Sequence, residues 1–233
     1  MDFYTRSTAT EWMDTEALTP ADLALCLADL ARVNTVTLAR PPTLAFLRRV
    51  ARGLPKGAAL RILDVGSGEG DMARRIARWG ARRGLDLMIE GIDLNPASTA
   101  ASRAATPPGL PIEYRTGDVF QEAAGRWDVV ISSLFTHHLS DAEIGRFFTW
   151  MEGAAGRGWF INDLHRHALA YHGFRALSAA AGWHRFVRHD GPISVARSFR
   201  RADWHGLLRQ AGLESVATVR WHLPFRFCVS RLK

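Results

Sequence analysis

The stretch that decides the fold of this chain is LDVGSGEG, residues 63–70. It closes an apolar run, residues 58–65, that predicts a short buried strand, and residues 71–80 have the spacing of an amphipathic helix. A strand, a glycine-rich turn and a helix form the opening unit of an open α/β sheet. Ligands of such sheets bind beyond the carboxyl ends of the strands, so this turn is the first candidate binding site.

The glycines of the turn, Gly66, Gly68 and Gly70, are spaced two apart and let a ligand approach bare main chain. A dinucleotide site prefers G-x-G-x-x-G/A, and a pyrophosphate would be repelled by acids such as Asp64 and Asp71. A ligand with a cationic centre and no phosphate tolerates them. The stretch resembles the first motif of class I S-adenosylmethionine-dependent methyltransferases, (L/V)-D-(V/I)-G-x-G-x-G, at every position. The resemblance implies S-adenosylmethionine as the cofactor.

Two further motifs of that superfamily follow in order. Asp93 ends the second predicted strand, where a carboxylate can accept both hydrogen bonds of a ribose diol. This acid would also serve a nicotinamide cofactor, so a nicotinamide-dependent reductase is an alternative. By resemblance, Leu94 packs on the adenine, Asp118 after the third strand hydrogen-bonds the adenine amino group, and Val119 lies against the ring. Three motifs, each just after a strand, favour the methyltransferase.

Other residues at the same edge complete the expected cofactor set. Asp64 suits by its charge the amino or sulfonium end of the cofactor. Ser132 and Ser133 end the fourth predicted strand and face the same crevice. Arg40 is a candidate for holding the cofactor's carboxylate, a task to which arginine is suited, and Asn34 is a second candidate. The alternative for Arg40 is a surface position beside two prolines.

Histidines at two turns are candidate catalytic bases. Methyl transfer to a hydroxyl or phenol needs a base, and histidine, with a reference pKa of about 6.5, is the usual choice. His137 and His138 follow the fourth predicted strand. His165 and His167 follow the fifth, and Asp163 before them is interpreted as orienting a histidine base. Loop packing for the first pair, and a surface or helix-start position for the second, are the alternatives.

The same groups have the chemistry of zinc ligands. Asp163, His165 and His167, with a histidine from the fourth strand, would supply enough ligands. No Cys-x-x-Cys or His-Glu-x-x-His sequence accompanies them, so no metal site is expected.

The rest of the chain alternates predicted strands and helices, which indicates a parallel sheet with right-handed crossovers. The predicted strands are 59–65, 85–93, 112–116, 127–132 and 158–163, followed by a hairpin of 213–222 and 225–231. The resemblance covers roughly residues 58–231. It implies an α/β, doubly wound, seven-stranded, mostly parallel Rossmann-like sheet whose last strand is antiparallel.

Two segments lie outside this alternation. Residues 1–57 predict an N-terminal helical cap, in which Thr19 is the N-cap residue of a helix and Pro20 its first residue. Residues 58–233 are then the S-adenosylmethionine-binding core, with an insertion at about 164–198 that is expected to form a lid. Its aromatic side chains suit a flat, apolar acceptor, or else pack the insertion onto the core.

A closer resemblance rests on residues 162–167 (NDLHRH) and 11–14 (EWMD). Together they resemble a bacterial subgroup of small-molecule methyltransferases associated with polyketide and phenolic-lipid pathways. Arg200 departs from that pattern, because a Thr or Ser commonly caps the final helix there. The resemblance implies an O-methyltransferase that acts on a small aromatic or polyketide-like acceptor.

Composition is typical of a globular protein, with 47% hydrophobic and 23% charged residues among 233. Two cysteines, Cys26 and Cys228, cannot form a disulfide framework, which indicates a reducing compartment. No apolar run resembles a signal peptide or approaches the ~20 residues of a membrane span. A soluble cytoplasmic protein, monomeric or homodimeric, is therefore expected.

The formal net charge of +7 comes almost entirely from arginine, and such a balance raises the possibility of a nucleic-acid partner. The arginines are scattered along helical segments, which indicates solvated helix faces. After strand four, where amino-methylating nucleic-acid enzymes carry Asn/Asp-Pro-Pro-Tyr/Phe, residues 132–135 read SSLF. A small molecule is therefore the expected partner. The alternatives are methylation of RNA, another N- or C-methylation, and a non-catalytic member that only binds the cofactor.

Overall fold

The computed structural model describes residues 2–16, 19–122 and 127–233, and within them the chain forms a seven-stranded sheet. The strands in chain order are β1 (Ala59–Val65), β2 (Asp86–Asp93), β3 (Ile112–Thr116), β4 (Trp127–Ser133), β5 (Ala155–Leu164), β6 (Thr218–His222) and β7 (Arg226–Leu232). Their order across the sheet is β3-β2-β1-β4-β5-β7-β6, and of these seven described strands β7 alone runs in the direction opposite to the other six. The predicted doubly wound, mostly parallel architecture is confirmed.

Helices of the described residues cover both faces of the sheet and its carboxyl edge. They are α1 (Trp12–Thr15), α2 (Pro20–Val36), α3 (Pro41–Val50), α4 (Asp71–Arg83), α5 (Pro96–Ala105), α6 (Asp141–Ala154), α7 (Ala168–Ala180), α8 (Arg185–Arg197) and α9 (Arg201–Gln210). Short 3₁₀ turns at Val119–Gln121 and Thr136–His138 follow β3 and β4. None of the described helices combines the length and the apolar character needed to cross a bilayer.

Local capping signals set the starts of several helices. Thr19 caps α2 through its side chain, as predicted, and Ser140 with Glu143 forms a capping box at the start of α6. Arg200 does not need a hydroxyl to start α9, because the carboxylate of Asp203 accepts its backbone N–H at 2.6 Å. Each cap satisfies a backbone donor that has no partner inside its helix.

Two strands begin three or more residues away from their predicted starts, while the ends of the others agree with the prediction to within one residue. β5 begins at Ala155 rather than at residue 158, because α6 runs directly into it and Ala155 already pairs with Trp127 of β4. β6 begins at Thr218 rather than at residue 213, because the amides of residues 216 and 217 bond to the carbonyl of Leu213 in a turn.

The apolar run of β1 is explained by burial on both faces of the sheet. Leu63 and Val65 belong to the hydrophobic cluster shared with α6 and α9. Leu60 and Ile62 belong to the cluster shared with α3 and α4 on the other face. Central strands of parallel sheets are buried on both faces, so polar residues are left to their ends. Asp64 is therefore an exception inside this strand.

The N-terminal helices and the insertion after β5 pack against each other. Cys26 and Val33 of α2 share a cluster with Trp183, Phe186 and Val187, which come from the start of α8 and the turn before it. These aromatic residues therefore pack the insertion onto α2. We call α2, α7 and α8 together the cap.

Residues 2–16, which we call the N-terminal strap, are tied to the core by arginines. The buried guanidinium of Arg166, just after β5, donates to the carbonyl oxygens of Phe3 and Tyr4, each at 3.0 Å. In the other direction, Arg6 donates from Nε to the carbonyl oxygen of Arg197 at 2.8 Å. The strap is thereby held between the end of β5 and the end of α8.

Replacing Gly70 by alanine is expected to destabilise the fold strongly. Gly70 has φ +75°, and a Cβ there would collide with the ring and hydroxyl of Tyr114. Gly53 is the matched control, because it has φ +82° and open space around its Cβ position. Gly53→Ala should cost only the positive-φ strain, about 1 kcal/mol, and Gly70→Ala about 2–4 kcal/mol in urea denaturation. Equal losses would show that the packing against Tyr114 is not tight.

Candidate functional site

A cavity of about 750 Å³ lies between the carboxyl edge of the sheet and the cap. Its floor is formed by the turns after β1, β2, β3 and β4, and its roof by α2, α8 and the strap. Open α/β sheets bind their ligands at this edge. The cavity is polar at the glycine turn and largely apolar under the cap.

The glycine turn fixes one carboxylate at the floor of the cavity. Gly66 and Gly68 have φ +69° and +53°. The amide of Gly68 donates to Asp93 Oδ2 at 2.9 Å, and the amide of Asn95 donates to Oδ1 at 2.9 Å. A carboxylate has about four acceptor positions, so Asp93 keeps lone pairs for a diol.

Asp64 lies beneath the turn and is prepared for a positively charged ligand. It is 2% exposed, it lines the cavity, and its Oδ2 has no hydrogen-bond partner among the described residues. Burial, followed by the nearby Asp71 and Asp93, raises the pKa of Asp64 to about 8. A bound cation would give Oδ2 a partner and favour the ionised carboxyl.

The other end of the polar floor combines apolar surface with a second acid. Leu94 lines the cavity and is 66% exposed. Asp118 accepts the amide of Phe120 at 2.9 Å, and the buried Val119 lies between them in sequence. A flat ring with an amino group would find apolar contacts and a hydrogen-bond acceptor there.

The remaining predicted cofactor residues divide into two groups. Ser133 lines the cavity, and its Oγ has no hydrogen-bond partner among the described residues. Ser132 and Gly70 are absent from the described lining. Ser132 is fully buried and donates to the carbonyl oxygen of Val65 at 3.0 Å, while Gly70 is the N-cap residue of α4. These two residues support the turn from behind.

Arg40 lines the cavity but also ties α2 to α4. Its Nε donates to Asp71 Oδ2 at 2.6 Å, its Nη1 to Thr35 Oγ1 at 2.7 Å and its Nη2 to the carbonyl of Ala31 at 3.1 Å. A ligand carboxylate would have to share this guanidinium. Asn34, the second candidate, also lines the cavity.

A buried carboxylate and a buried imidazole meet under the cap. Asp163 Oδ1 lies 2.7 Å from His137 Nδ1, and its Oδ2 accepts the backbone N–H of His137 at 3.0 Å. Burial by itself would raise the pKa of Asp163, but His137 and Thr136 outweigh it and lower the pKa to about 2. The ionised Asp163 therefore accepts from Nδ1, and the ring of His138 lies 4.3 Å from that of His137. Both histidines line the cavity.

The second predicted histidine pair lies elsewhere. His165 packs on Phe225 and Phe227 and accepts the indole N–H of Trp221 at 3.2 Å, while His167 stacks on Phe225 and caps α7. Neither belongs to the described lining of the cavity. The reason is that the backbone of His165 bonds to Phe225, so the chain leaves β5 along the β6–β7 hairpin. Asp163 thus orients a histidine of the preceding turn instead of one that follows it.

Sequence reasoning assigned no role to Glu11, which the strap carries into the cavity. Glu11 is 6% exposed, and its Oε1 lies 3.8 Å from His137 Nε2 and accepts Ser194 Oγ at 3.0 Å. The only sequence signal that could have drawn attention to Glu11 was its position in the EWMD stretch, which was used there for the subgroup resemblance alone. Its contacts join residues that are far apart in the chain, so spacing could not have revealed them.

Glu11, His137 and His138 also offer three ligand atoms within 4.8 Å of one another, close enough to hold a metal ion. Arg197 Nη1 lies 3.8 Å from Glu11 Oε1, however, so a metal ion would have to compete with Arg197 for this carboxylate. The zinc set considered from the sequence is not assembled, because His165 and His167 lie outside the cavity.

Comparison with known proteins finds similarity to methyltransferases over part of the chain. Residues 62–158 match the family model of a methyltransferase domain. A ubiquinone biosynthesis O-methyltransferase of Brucella ovis is 27% identical over 154 residues, which cover 62% of this chain and 59% of that protein. The chain therefore matches about three fifths of the length of this relative.

Solved structures share the fold at low sequence identity. A SAM-dependent methyltransferase from Aquifex aeolicus superposes with a TM-score of 0.61 at 15% identity, covering 93% of this chain and 99% of that one. The magnesium protoporphyrin IX methyltransferase from Synechocystis with bound SAH gives 0.55 at 14% identity, covering 99% and 91%.

The raised pKa of Asp64 is expected to appear as a pH-dependent stability. The folded state keeps a proton that the unfolded chain releases near pH 4, so the contribution of Asp64 to stability is greatest below pH 4. It falls as the pH rises towards about 8. From pH 5 to pH 8 the free energy of unfolding of the ligand-free wild type should therefore fall, relative to that of Asp64→Asn, by more than about 1 kcal/mol. A difference in unfolding free energy between the wild type and Asp64→Asn that stays the same at every pH, measured by urea denaturation, would contradict this.

Proposed function

We propose that this chain, which has the fold of the class I S-adenosylmethionine-dependent methyltransferases and carries a methyltransferase domain at residues 62–158, methylates an oxygen of a small aromatic or polyketide-like acceptor. One observation carries the proposal. A single cavity is lined both by Asp64, whose Oδ2 has no hydrogen-bond partner among the described residues, and by His137, which is paired with Asp163. A cationic methyl donor bound at Asp64 and a proton-accepting group at His137 would therefore share one cavity.

The residues of the polar floor fit S-adenosylmethionine. Asp93 would accept from the ribose diol, Asp118 would accept from the adenine amino group, and Leu94 and Val119 would contact the ring. Asp64 would balance the positive charge of the bound cofactor. When bound, the cofactor supplies a methyl group on a positively charged sulfur. A turn with no phosphate-binding lysine and several acids suits such a ligand better than a pyrophosphate.

His137 is the base in this proposal. Its Nδ1–H donates to the ionised Asp163, so the neutral ring carries its lone pair on Nε2. The proton of the acceptor hydroxyl moves to Nε2 as the new carbon–oxygen bond forms. A positioned base of this kind contributes typically ~10²–10⁴-fold to the rate. His138, stacked on His137, is the second candidate.

The apolar end of the cavity supports a small, flat acceptor. Its wall includes Met13 of the strap, Leu27 and Leu30 of α2, Phe174 of α7 and Val187 of α8. These side chains would exclude water from the reacting atoms, and holding two reactants there converts a bimolecular step into an effectively unimolecular one. The name of the Brucella relative, a ubiquinone biosynthesis O-methyltransferase, agrees with methylation of an oxygen.

The proposal includes the organisation and location of the protein. Residues 1–57 act as the N-terminal helical cap predicted from the sequence, which contributes only α2 to the larger cap defined above. Residues 58–233 act as the catalytic core, with the insertion at about 164–198 as its lid. The buried thiols of Cys26 and Cys228 fit a reducing cytoplasm, and the enzyme acts as a monomer or homodimer. Salt-sensitive retention on RNA would instead favour the nucleic-acid alternative that the +7 charge raises.

Two alanine variants separate the histidine pairs. His137→Ala should lower kcat by about 100-fold or more while the Kd for S-adenosylmethionine, measured by calorimetry, stays near that of the wild type. His165→Ala should keep the wild-type kcat, because His165 lies outside the cavity lining.

A loss of kcat in His165→Ala as large as that in His137→Ala would indicate that the base lies in the turn after β5 instead. Well-folded wild-type protein that releases no heat with S-adenosylmethionine or S-adenosylhomocysteine would contradict the whole proposal.

A further inference from the structure

We infer that Glu11 is a positioning residue, which faces His137 from the strap and stabilises the charged ring that forms when His137 accepts the acceptor's proton. The inference rests on the proposed function, and it deepens that function by giving the strap a part in catalysis.

The strap holds Glu11 in place through the residues that follow it. Asp190 of α8 accepts the backbone N–H groups of Trp12 at 2.8 Å and of Met13 at 3.0 Å. The indole ring of Trp12 stacks on the ring of His189 at 3.6 Å between centroids. These contacts fix the main chain directly after Glu11. Its carboxylate is therefore presented to the cavity by a rigid segment.

Side chains of α8 provide partners for the buried carboxyl group of Glu11. A buried charge is costly unless it is paired or hydrogen-bonded. Ser194 Oγ donates to Glu11 Oε1 at 3.0 Å, and Arg197 Nη1 lies 3.8 Å from the same oxygen. Ser194 and Arg197 both belong to α8. This helix therefore supplies both the anchor of the strap and the partners of its acid.

His137 lies between two carboxylates from distant parts of the chain. Asp163 at the end of β5 accepts from Nδ1, and Glu11 Oε1 lies 3.8 Å from Nε2, beyond hydrogen-bond length. Arg6 and Arg197 donate to the backbone carbonyl of His137, each at 3.3 Å, and the ring of His138 lies 4.3 Å from that of His137. Glu11 therefore supplies negative charge on the Nε2 side of the ring.

The reaction makes this charge useful. The acceptor oxygen bonds to the methyl carbon as the methyl–sulfur bond breaks, and its proton passes to Nε2. The ring of His137 then carries a positive charge in a buried place, and the sulfur becomes a neutral thioether. Asp163 stabilises the cation at Nδ1 and Glu11 stabilises it at Nε2. The proton later leaves to solvent.

The test compares Glu11→Gln, Glu11→Asp and the control Glu16→Gln, with catechol, resorcinol and 4-hydroxybenzoate as acceptor probes. Glu11→Gln keeps the shape and removes the charge, so kcat should fall about tenfold or more while KM for the acceptor and Kd for S-adenosylhomocysteine stay unchanged. Glu11→Asp restores the charge at shorter reach and should recover part of kcat. Glu16 is exposed at the end of the strap, and Glu16→Gln should match the wild type.

A second measurement needs no turnover. In ¹⁵N-labelled protein the ring signals of His137 are assigned by their loss in His137→Ala. Glu11→Gln should lower the fraction of doubly protonated His137 rings at a fixed mildly acidic pH, and Glu16→Gln should not.

The outcomes separate the two proposals. An active wild type with an unimpaired Glu11→Gln and unchanged ring signals would overturn the role of Glu11 alone. A loss in kcat that Glu11→Asp does not relieve, with unchanged ring signals, would also overturn it, because it would indicate packing. A wild type that binds S-adenosylmethionine but methylates no probe would contradict the proposed function, and the ring signals would still decide whether Glu11 faces and stabilises the cation.

Discussion

The hydrogen bonds of Asp163 are the constraint on which the candidate site depends. Its carboxylate stands fully buried at the end of β5 and accepts from the turn after β4, through the side chain of Thr136 and both the backbone and ring of His137. A buried carboxylate without such donors would be very costly, so these bonds fix the turn after β4 against β5. The same contact that makes the fold possible at this edge also selects the tautomer of the candidate base.

The parts of the site that could be predicted from the sequence are those set by local chemistry. The glycine turn, Asp93 and Asp118 follow directly from a strand end and its next few residues. The start of α2 could likewise be predicted, because the side chain of Thr19 accepts a hydrogen bond from the first turn of the helix. The partner of Asp163 could not be predicted in this way, because β4 and β5 are joined by their parallel pairing and not by sequence proximity. Glu11 was missed for the same reason, since the strap meets α8 only in the folded chain.

The arginine content has a different structural meaning from the one that the sequence indicated. Some arginines do lie on solvated helix faces, but Arg166 and Arg226 are among the largest fully buried side chains. Both donate to backbone carbonyls, Arg166 to the strap and Arg226 to Thr37 at the end of α2. A guanidinium offers five donors in a rigid plane, so one side chain can join several loose segments. Part of the positive charge therefore stabilises the fold by joining the strap and the end of α2 to the core.

The strap ties the completion of the cavity to the order in which the chain is made. Its bonds to the core join residues separated by 131 to 191 positions, from Arg6 with His137 to Arg6 with Arg197. Contacts over such separations close slowly, because a long loop must be ordered before any bond rewards it. During synthesis the strap cannot complete these bonds until α8 has been made, because Arg6, Glu11 and Trp12 have partners on that helix. A nascent chain halted before that point would lack the α8 part of the roof, so the side of the cavity that faces α8 would be open to solvent.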